Sequence, residues 1–273
     1  MSGRLISCAM WLAISLMSST LYAAQQRCES LTAVLHPNAE PYDWLASETG
    51  LAQGVSVDLL KALAEKTQLN IQLIASKTAA KALREVRSGR VDLILGVQAQ
   101  PEPDLRLDYM YPAYAQQDYR LWVRAGELLS LSQWPELSGL RGSMLEVDSL
   151  VEFARQAEDA GWPMQQVKSR QQALQMLLEG RADYFVAEQY QQQLYLQRLD
   201  QLERFEAVDP PLATQKLFVA LAKDSACNDQ AMRQTLSKAL LTLSQPELSE
   251  KRLASALQRR QVANLRTTSE IDE

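Results

Sequence analysis

Two stretches of the chain repeat one pattern of apolar and polar positions. Residues 82–96 read ALREVRSGRVDLILG and residues 173–187 read ALQMLLEGRADYFVA. Each begins with apolar residues at helical spacing, then gives Gly-Arg, a small apolar residue, Asp and an apolar run. The first part predicts an amphipathic helix that Gly89 or Gly180 ends in the left-handed C′ position. The run after Asp92 or Asp183 predicts a buried parallel strand. One helix–glycine–strand unit is common in α/β proteins. Two in the same register predict two lobes built on one plan.

Other segments fit around these units. Leu31–His36 predicts a first strand, Pro37–Trp44 a loop, Leu59–Thr67 a helix introduced by Gly54-Val55-Ser56-Val57-Asp58, and Ile71–Ile74 a second strand. Asp58 is expected to cap or orient that helix. Residues 119–124 (YRLWVR) and 216–222 (KLFVALA) alternate as strands do and are candidate crossovers between the lobes. Asp148 or Ser149 can cap a helix reaching about Gly161. Helices are expected over 229–243 and 246–262, and the polar stretch after Ala263 is expected to be disordered. Alternating strands and helices predict an α/β protein with mainly parallel sheets.

The N-terminus changes the picture of where the chain works. Arg4, the apolar run from Leu5 to about Met17, and Leu21-Tyr22-Ala23 have the order of a secretory signal, so residues 1–23 are expected to be cleaved. The run is shorter than the ~20 residues of a membrane-spanning helix. Cleavage moves the formal charge from −5 to −6, because Arg4 leaves and no acid does. A mildly acidic chain argues against nucleic acid or an anionic membrane surface as partner. Cys28 and Cys227 remain after cleavage, and an even pair in an exported protein favours a disulfide over two buried thiols. Two cysteines and one histidine, His36, argue against a His/Cys zinc site or Cys–His catalysis, and no cofactor is expected.

In open parallel sheets, ligands collect beyond the carboxyl ends of the strands. That rule selects Gln98 and Gln100 after the first echoed strand, Glu188 after the second, and Tyr42 and Trp44 after the first strand of the chain. Ser149, at the start of its predicted helix, completes the candidate set. Each has a plainer competing role: the glutamines as loop caps, Glu188 as a solvated charge opening Gln189–Gln193, Trp44 as surface packing. Two amides, a carboxylate and two aromatics suit a polar, amine-bearing or neutral ligand.

At this point the sequence resembles the extracellular solute-binding proteins of family 3, typified by polar amino-acid receptors of ABC importers. The likeness runs from Cys28 to about Leu243. It is carried by Gly54-Val55-Ser56-Val57-Asp58-Leu59, Ser88-Gly89-Arg90-Val91-Asp92-Leu93-Ile94, Leu107-Asp108-Tyr109-Met110-Tyr111-Pro112-Ala113-Tyr114, and Leu137-Ser138-Gly139-Leu140-Arg141-Gly142. The resemblance implies a two-lobed type II periplasmic-binding-protein fold whose two-strand hinge closes on ligand. Members that bind α-amino acids carry Thr-x-Thr-x-Glu-Arg after the strand, with the Arg on the ligand carboxylate. Here the stretch is Gln98-Ala99-Gln100-Pro101-Glu102-Pro103, and Pro103 has no donor to offer. Arg106 lies three residues on, and Asp148 brings a negative charge to the second lobe's helix N-terminus. Glu188 stands where the family has the Asp that meets the ligand ammonium. The resemblance thus implies that the amine half of recognition is kept and the carboxylate half is lost.

The expected arrangement is lobe 1 over 24–115 plus 222–262, lobe 2 over 116–221, and a disordered tail over 263–273. The expected function is a monomeric periplasmic binding protein that delivers a small polar solute to a membrane permease or a sensor, without chemistry. Two alternatives compete: a dehydratase-like enzyme on the same fold with Glu188 as general acid, and a degenerate module that no longer clamps ligand. The enzyme lacks a neighbouring base or electrophile in the sequence.

Overall fold

In the computed structural model the residues described are 28–35, 39–46, 49–74, 76, 78–98, 106–127, 134–146 and 150–269. The first repeat unit comprises β1 (Ser30–Leu35), α1 (Val55–Thr67), β4 (Asn70–Ile74), α2 (Ala79–Arg87) and β5 (Leu93–Gln98), with a short hairpin of β2 (Trp44–Leu45) and β3 (Ala52–Gln53) before α1. Two strands follow the repeat out of its own half: β6 (Leu107–Arg124) and, later, β11 (Ala213–Ala222). The second unit comprises β7 (Gly142–Leu145), α3 (Val151–Asp159), β8 (Met164–Val167), α4 (Arg170–Leu178) and β9 (Tyr184–Glu188). α5 (Gln189–Arg198) and β10 (Phe205–Ala207) lead to β11, and α6 (Gln230–Leu243) and α7 (Pro246–Ser269) close the chain.

Strand order makes the duplication explicit. Hydrogen bonding runs β4-β1-β5-β11-β6-β9-β7-β8. β1 lies between β4 and β5, and β7 lies between β8 and β9, all in parallel. The antiparallel pair β6 and β11 joins the two parallel halves. The first half thus has its counterpart in the second, and the fold is the expected two-lobed α/β type with a two-strand connection.

Local chemistry repeats as well. Thr78 and Ser169 cap α2 and α4, each hydroxyl accepting a backbone N–H three residues on at 3.2 Å. Gly89 and Gly180 end the two helical segments at φ of +69° and +65°. Asp92 accepts the Thr32 N–H at 2.7 Å and the Thr32 hydroxyl at 2.8 Å, fixing the start of β1. Asp183 accepts the Arg141 N–H at 2.7 Å and its guanidinium at 2.8 Å, fixing the start of β7.

Each half carries apolar packing on both faces of its sheet, as strands covered on two sides require. Leu93 and Leu95 pack with Leu59 and Leu63 of α1 and Leu236 and Leu240 of α6, while Ile94 packs on the other face with Ala82 and Val86 of α2. In the second half Phe185 packs with Leu174 and Leu177 of α4, and Tyr184 and Val186 pack with Phe153 of α3. A disulfide joins Cys28 to Cys227, with Cα atoms 5.5 Å apart. It ties the approach to β1 to the turn before α6, inside the first half. Closing so long a loop stabilises by up to about 5 kcal/mol on loop-entropy grounds.

Three boundaries differ most from expectation. α1 begins at Val55, four residues before Leu59, because the Pro41 and Tyr42 carbonyls take the N–H groups of Val55 and Ser56. β6 begins at Leu107 and not at 119; its pairing with β11 skips register around Tyr111–Tyr114, where Pro112 has no N–H to give. α7 continues to Ser269, so residues 263–269 are helical where disorder was expected, and residues 270–273 lie outside the described residues. No Gly or Pro interrupts it after Pro246, and Asn264 is buried.

Candidate functional site

Glu188 is the last residue of β9 and the N-cap of α5, so one side chain serves a strand end and a helix start. Its Oε2 accepts the Gln191 N–H at 2.7 Å. The residue is 2% exposed. Burial pushes the carboxyl up to about 7, against the opposing pull of the Gln191 and Tyr190 N–H groups, the Tyr42 hydroxyl and the Arg170 charge.

The partner of Glu188 comes from the other half of the molecule. Tyr42 is fully buried, and its hydroxyl lies 3.2 Å from Glu188 Oε1 and 2.6 Å from the Gln116 carbonyl. One phenolic proton serves two acceptors there. When Glu188 is protonated, the carboxyl can donate to the phenol oxygen and leave the phenolic proton to Gln116. Burial, then the nearby Glu188 charge, pushes the Tyr42 phenol well above its ordinary range. Gly54 is what lets Tyr42 sit so close to α1: a Cβ at Gly54 would lie 2.3 Å from the Tyr42 carbonyl oxygen.

Charged and amide groups surround this contact. Arg170, the first residue of α4, donates to Gln191 Oε1 at 2.8 Å and lies 5.9 Å from the Tyr195 ring centroid. Burial lowers the affinity of its guanidinium for its proton, and its Nε has no hydrogen-bond partner among the described residues. Glu40 bridges Arg198 of α5 at 3.1 Å and Arg260 of α7 at 2.8 Å, a second direct link between the halves. Arg120 of β6 donates to Gln189 at 2.8 Å and pairs with Asp209. Gln192 lies one helical turn beyond Glu188; it is fully buried and neither amide atom has a partner among the described residues.

The candidates separate into three groups. Tyr42 and Glu188 meet. Gln98, at the end of β5, donates its amide to Gln117 of β6 at 3.1 Å, beside the crossing strands. Trp44 takes another place: it is 5% exposed in the core of the first half, with Arg260 5.9 Å from its ring centroid, and it lines a cavity within that half. Gln100 and Ser149, with Asp148 and Pro103, lie outside the described residues. Asp58 makes no cap and pairs instead with Arg259 of α7 at 2.5 Å.

Sequence reasoning missed Arg170 and Gln192. Gln192 carried a usable signal, its i+4 spacing from Glu188. Arg170 carried none, since the equivalent residue of the first unit is Ala79. Among the described residues no group of three or more His, Cys, Asp or Glu could hold a metal ion, and no helix is long and apolar enough to cross a membrane.

Residues 31–252 match the family described as bacterial extracellular solute-binding proteins, family 3. A search of curated proteins gives no match. Among solved structures, the second substrate-binding domain of a putative amino acid ABC transporter from Streptococcus pneumoniae aligns at TM-score 0.65 and 14% identity, over 83% of this chain and 99% of that one. AbpA, an amino acid ABC transporter substrate-binding protein from the same organism bound to L-arginine, aligns at TM-score 0.61 and 18% identity, over 85% and 96%. A histidine kinase sensor domain with similarity to periplasmic binding proteins aligns at TM-score 0.62 and 19% identity, over 85% and 97%.

Proposed function

We propose that this chain, which belongs to the bacterial extracellular solute-binding proteins of family 3, captures a small amine-bearing or neutral polar solute between its two halves. The observation that carries this reading is the buried Glu188 carboxyl at the end of a parallel strand, facing Tyr42 from the other half. A carboxylate removed from water favours a cationic or hydrogen-bond-donating partner. An incoming ammonium would take the place of the Tyr42 hydroxyl on Oε1, while Oε2 keeps its cap on α5. Gln192, one turn beyond Glu188 and without an amide partner among the described residues, would supply a second polar contact on rearrangement.

The two crossing strands β6 and β11 act as the hinge, with lobe 1 over 24–115 plus 222–262, and lobe 2 over 116–221. Flexing them separates Tyr42 from Glu188 and Glu40 from Arg198, opening a path for solute; closure restores Glu40–Arg198 while the ammonium holds the place of the Tyr42 hydroxyl on Glu188. The solved relatives include importer-associated amino acid-binding proteins and a kinase sensor domain. They support delivery to a membrane permease or signalling through a sensor, after export by a signal at 1–23. Pro103 at the position of the family's carboxylate-binding Arg supports amines over standard α-amino acids.

Thermal melts against a panel of primary amines, polyamines and α-amino acids test this. At about a hundredfold excess over Kd, a true ligand stabilises by about 2.7 kcal/mol, or roughly 5–10 °C for a chain of this size. Amines should give that shift and ordinary α-amino acids should not. Larger shifts from α-amino acids than from amines would overturn the assigned class, and no shift from any solute would overturn capture itself.

A further inference from the structure

We propose that solute capture by this protein is coupled to a proton: with Tyr42 seated on it Glu188 is a neutral acid, and an ammonium that takes that place expels the carboxyl proton to solvent. This coupling rests on amine capture at Glu188. Tyr42 has one phenolic proton and two acceptors, the Gln116 carbonyl at 2.6 Å and Glu188 Oε1 at 3.2 Å. The shorter contact takes the proton, since O–H···O bonds cluster at about 2.7–2.8 Å. The phenol oxygen and Oε1 then face each other without a hydrogen unless the carboxyl carries one. Oε2 already accepts the Gln191 N–H at 2.7 Å, and with the residue 2% exposed, solvent is a poor substitute donor.

Surrounding charges do not hold Glu188 ionised. Arg170 of α4 is the cation that acts on it, but that guanidinium donates to Gln191 Oε1, and among the described residues no basic side chain pairs with Glu188. Tyr190 of α5 and Asp118 of β6 act on Tyr42, and Asp118 opposes further negative charge there. Arg120 of β6 is turned to Gln189 and Asp209, Glu250 of α7 adds negative charge near Tyr190, and Glu40 and Arg198 pair with each other. Desolvation outweighs these groups and pushes the carboxyl up to about 7.

An ammonium reverses the balance. Its N–H groups supply the hydrogen that Oε1 needs, and its charge favours the ionised carboxylate. The Oε1–H bond breaks, the proton passes to buffer, Oε1 accepts an ammonium N–H, and Tyr42 keeps its phenolic proton on Gln116. One cation enters and one proton leaves. Acid therefore returns Tyr42 to Glu188 and releases solute, whereas higher pH favours capture. Apparent affinity follows the ionised fraction of Glu188, so it should fall roughly tenfold between about pH 8 and about pH 6.

Infrared difference spectra of the whole protein with and without millimolar n-butylammonium, paired with titration calorimetry in two buffers of different ionisation heat, test the coupling. At about pH 6 the protein alone should show a protonated-carboxyl band that Glu188→Gln lacks; the comparison removes the contribution of Asp43, itself pushed to about 7. Tyr42→Phe keeps the acid and removes its acceptor, so the band should persist and move to higher frequency, which also assigns it if Glu188→Gln does not fold. n-Butylammonium should abolish the band and release close to one proton per molecule bound at about pH 6, and close to none at about pH 8. Absence of the band from the protein alone at the lower pH would overturn the proposal. Heat of binding with the band unchanged and no proton released would overturn it and leave amine capture standing, whereas no heat and no spectral change would overturn capture and the coupling with it.

Discussion

A carboxyl group buried without a full counter-charge makes stability depend on pH in a direction opposite to that of most surface acids. Glu188 and Asp43 are both pushed to about 7 by burial, from ordinary values of 4.5 and 3.8. Because the folded pKa lies above the unfolded one, the folded state binds more protons between those limits. The stabilising contribution is therefore complete below about 4 and is lost as pH rises through about 7. Each group accounts for roughly 3 to 4 kcal/mol across that window. The melting temperature should fall between mildly acidic and mildly alkaline pH, and Asp43→Asn should flatten that fall. Scanning calorimetry at the two pH values checks it; an unchanged slope in the variant would contradict the assignment. Glu188 was legible in the sequence because a polar residue ending a buried run stands out. Asp43 was not, because it sits between Tyr42 and Trp44 in a stretch that read as loop. Its burial follows from the tight Ala39–Asp43 pairing and the hairpin after it, neither of which leaves a periodic trace.

Elements were most legible where the chain repeats itself. Gly-Arg, a small apolar residue and Asp recur because each unit needs a left-handed turn and then an acid to hold the central strand of its half. The two glycines nevertheless face different surroundings. A Cβ at Gly180 would meet nothing within 4 Å, whereas one at Gly89 would lie 2.5 Å from the Asp224 carbonyl oxygen. Gly180→Ala should therefore cost only the left-handed backbone term, about 1–2 kcal/mol. Gly89→Ala should cost clearly more, since backbone must move as well. Denaturant unfolding of both variants gives the comparison, and equal losses would show that the Asp224 contact is unimportant. Boundaries were less legible than elements. The first turn of α1 exists because of carbonyls from Pro41 and Tyr42, and the pairing of β6 across Pro112 depends on β11 a hundred residues later.

At the scale of the whole molecule, two similar halves are joined by β6 and β11 and touch through Tyr42–Glu188 and Glu40–Arg198. The echo between 82–96 and 173–187 was enough to anticipate two lobes, and the alternation in 119–124 and 216–222 anticipated the crossings. Direct contact between the halves was beyond reach, because it joins side chains from segments with no shared pattern. That contact places the proposed recognition on Glu188, where a bound ammonium and the Tyr42 hydroxyl compete for one oxygen. Titration calorimetry of the parent and Glu188→Gln, using the amine that gives the largest thermal shift, tests this most directly. The substitution keeps shape and removes charge, so affinity should drop by about 1.5–3 kcal/mol, roughly 10- to 100-fold. Equal affinity in the two proteins, or an α-amino acid bound tightly by both, would contradict it.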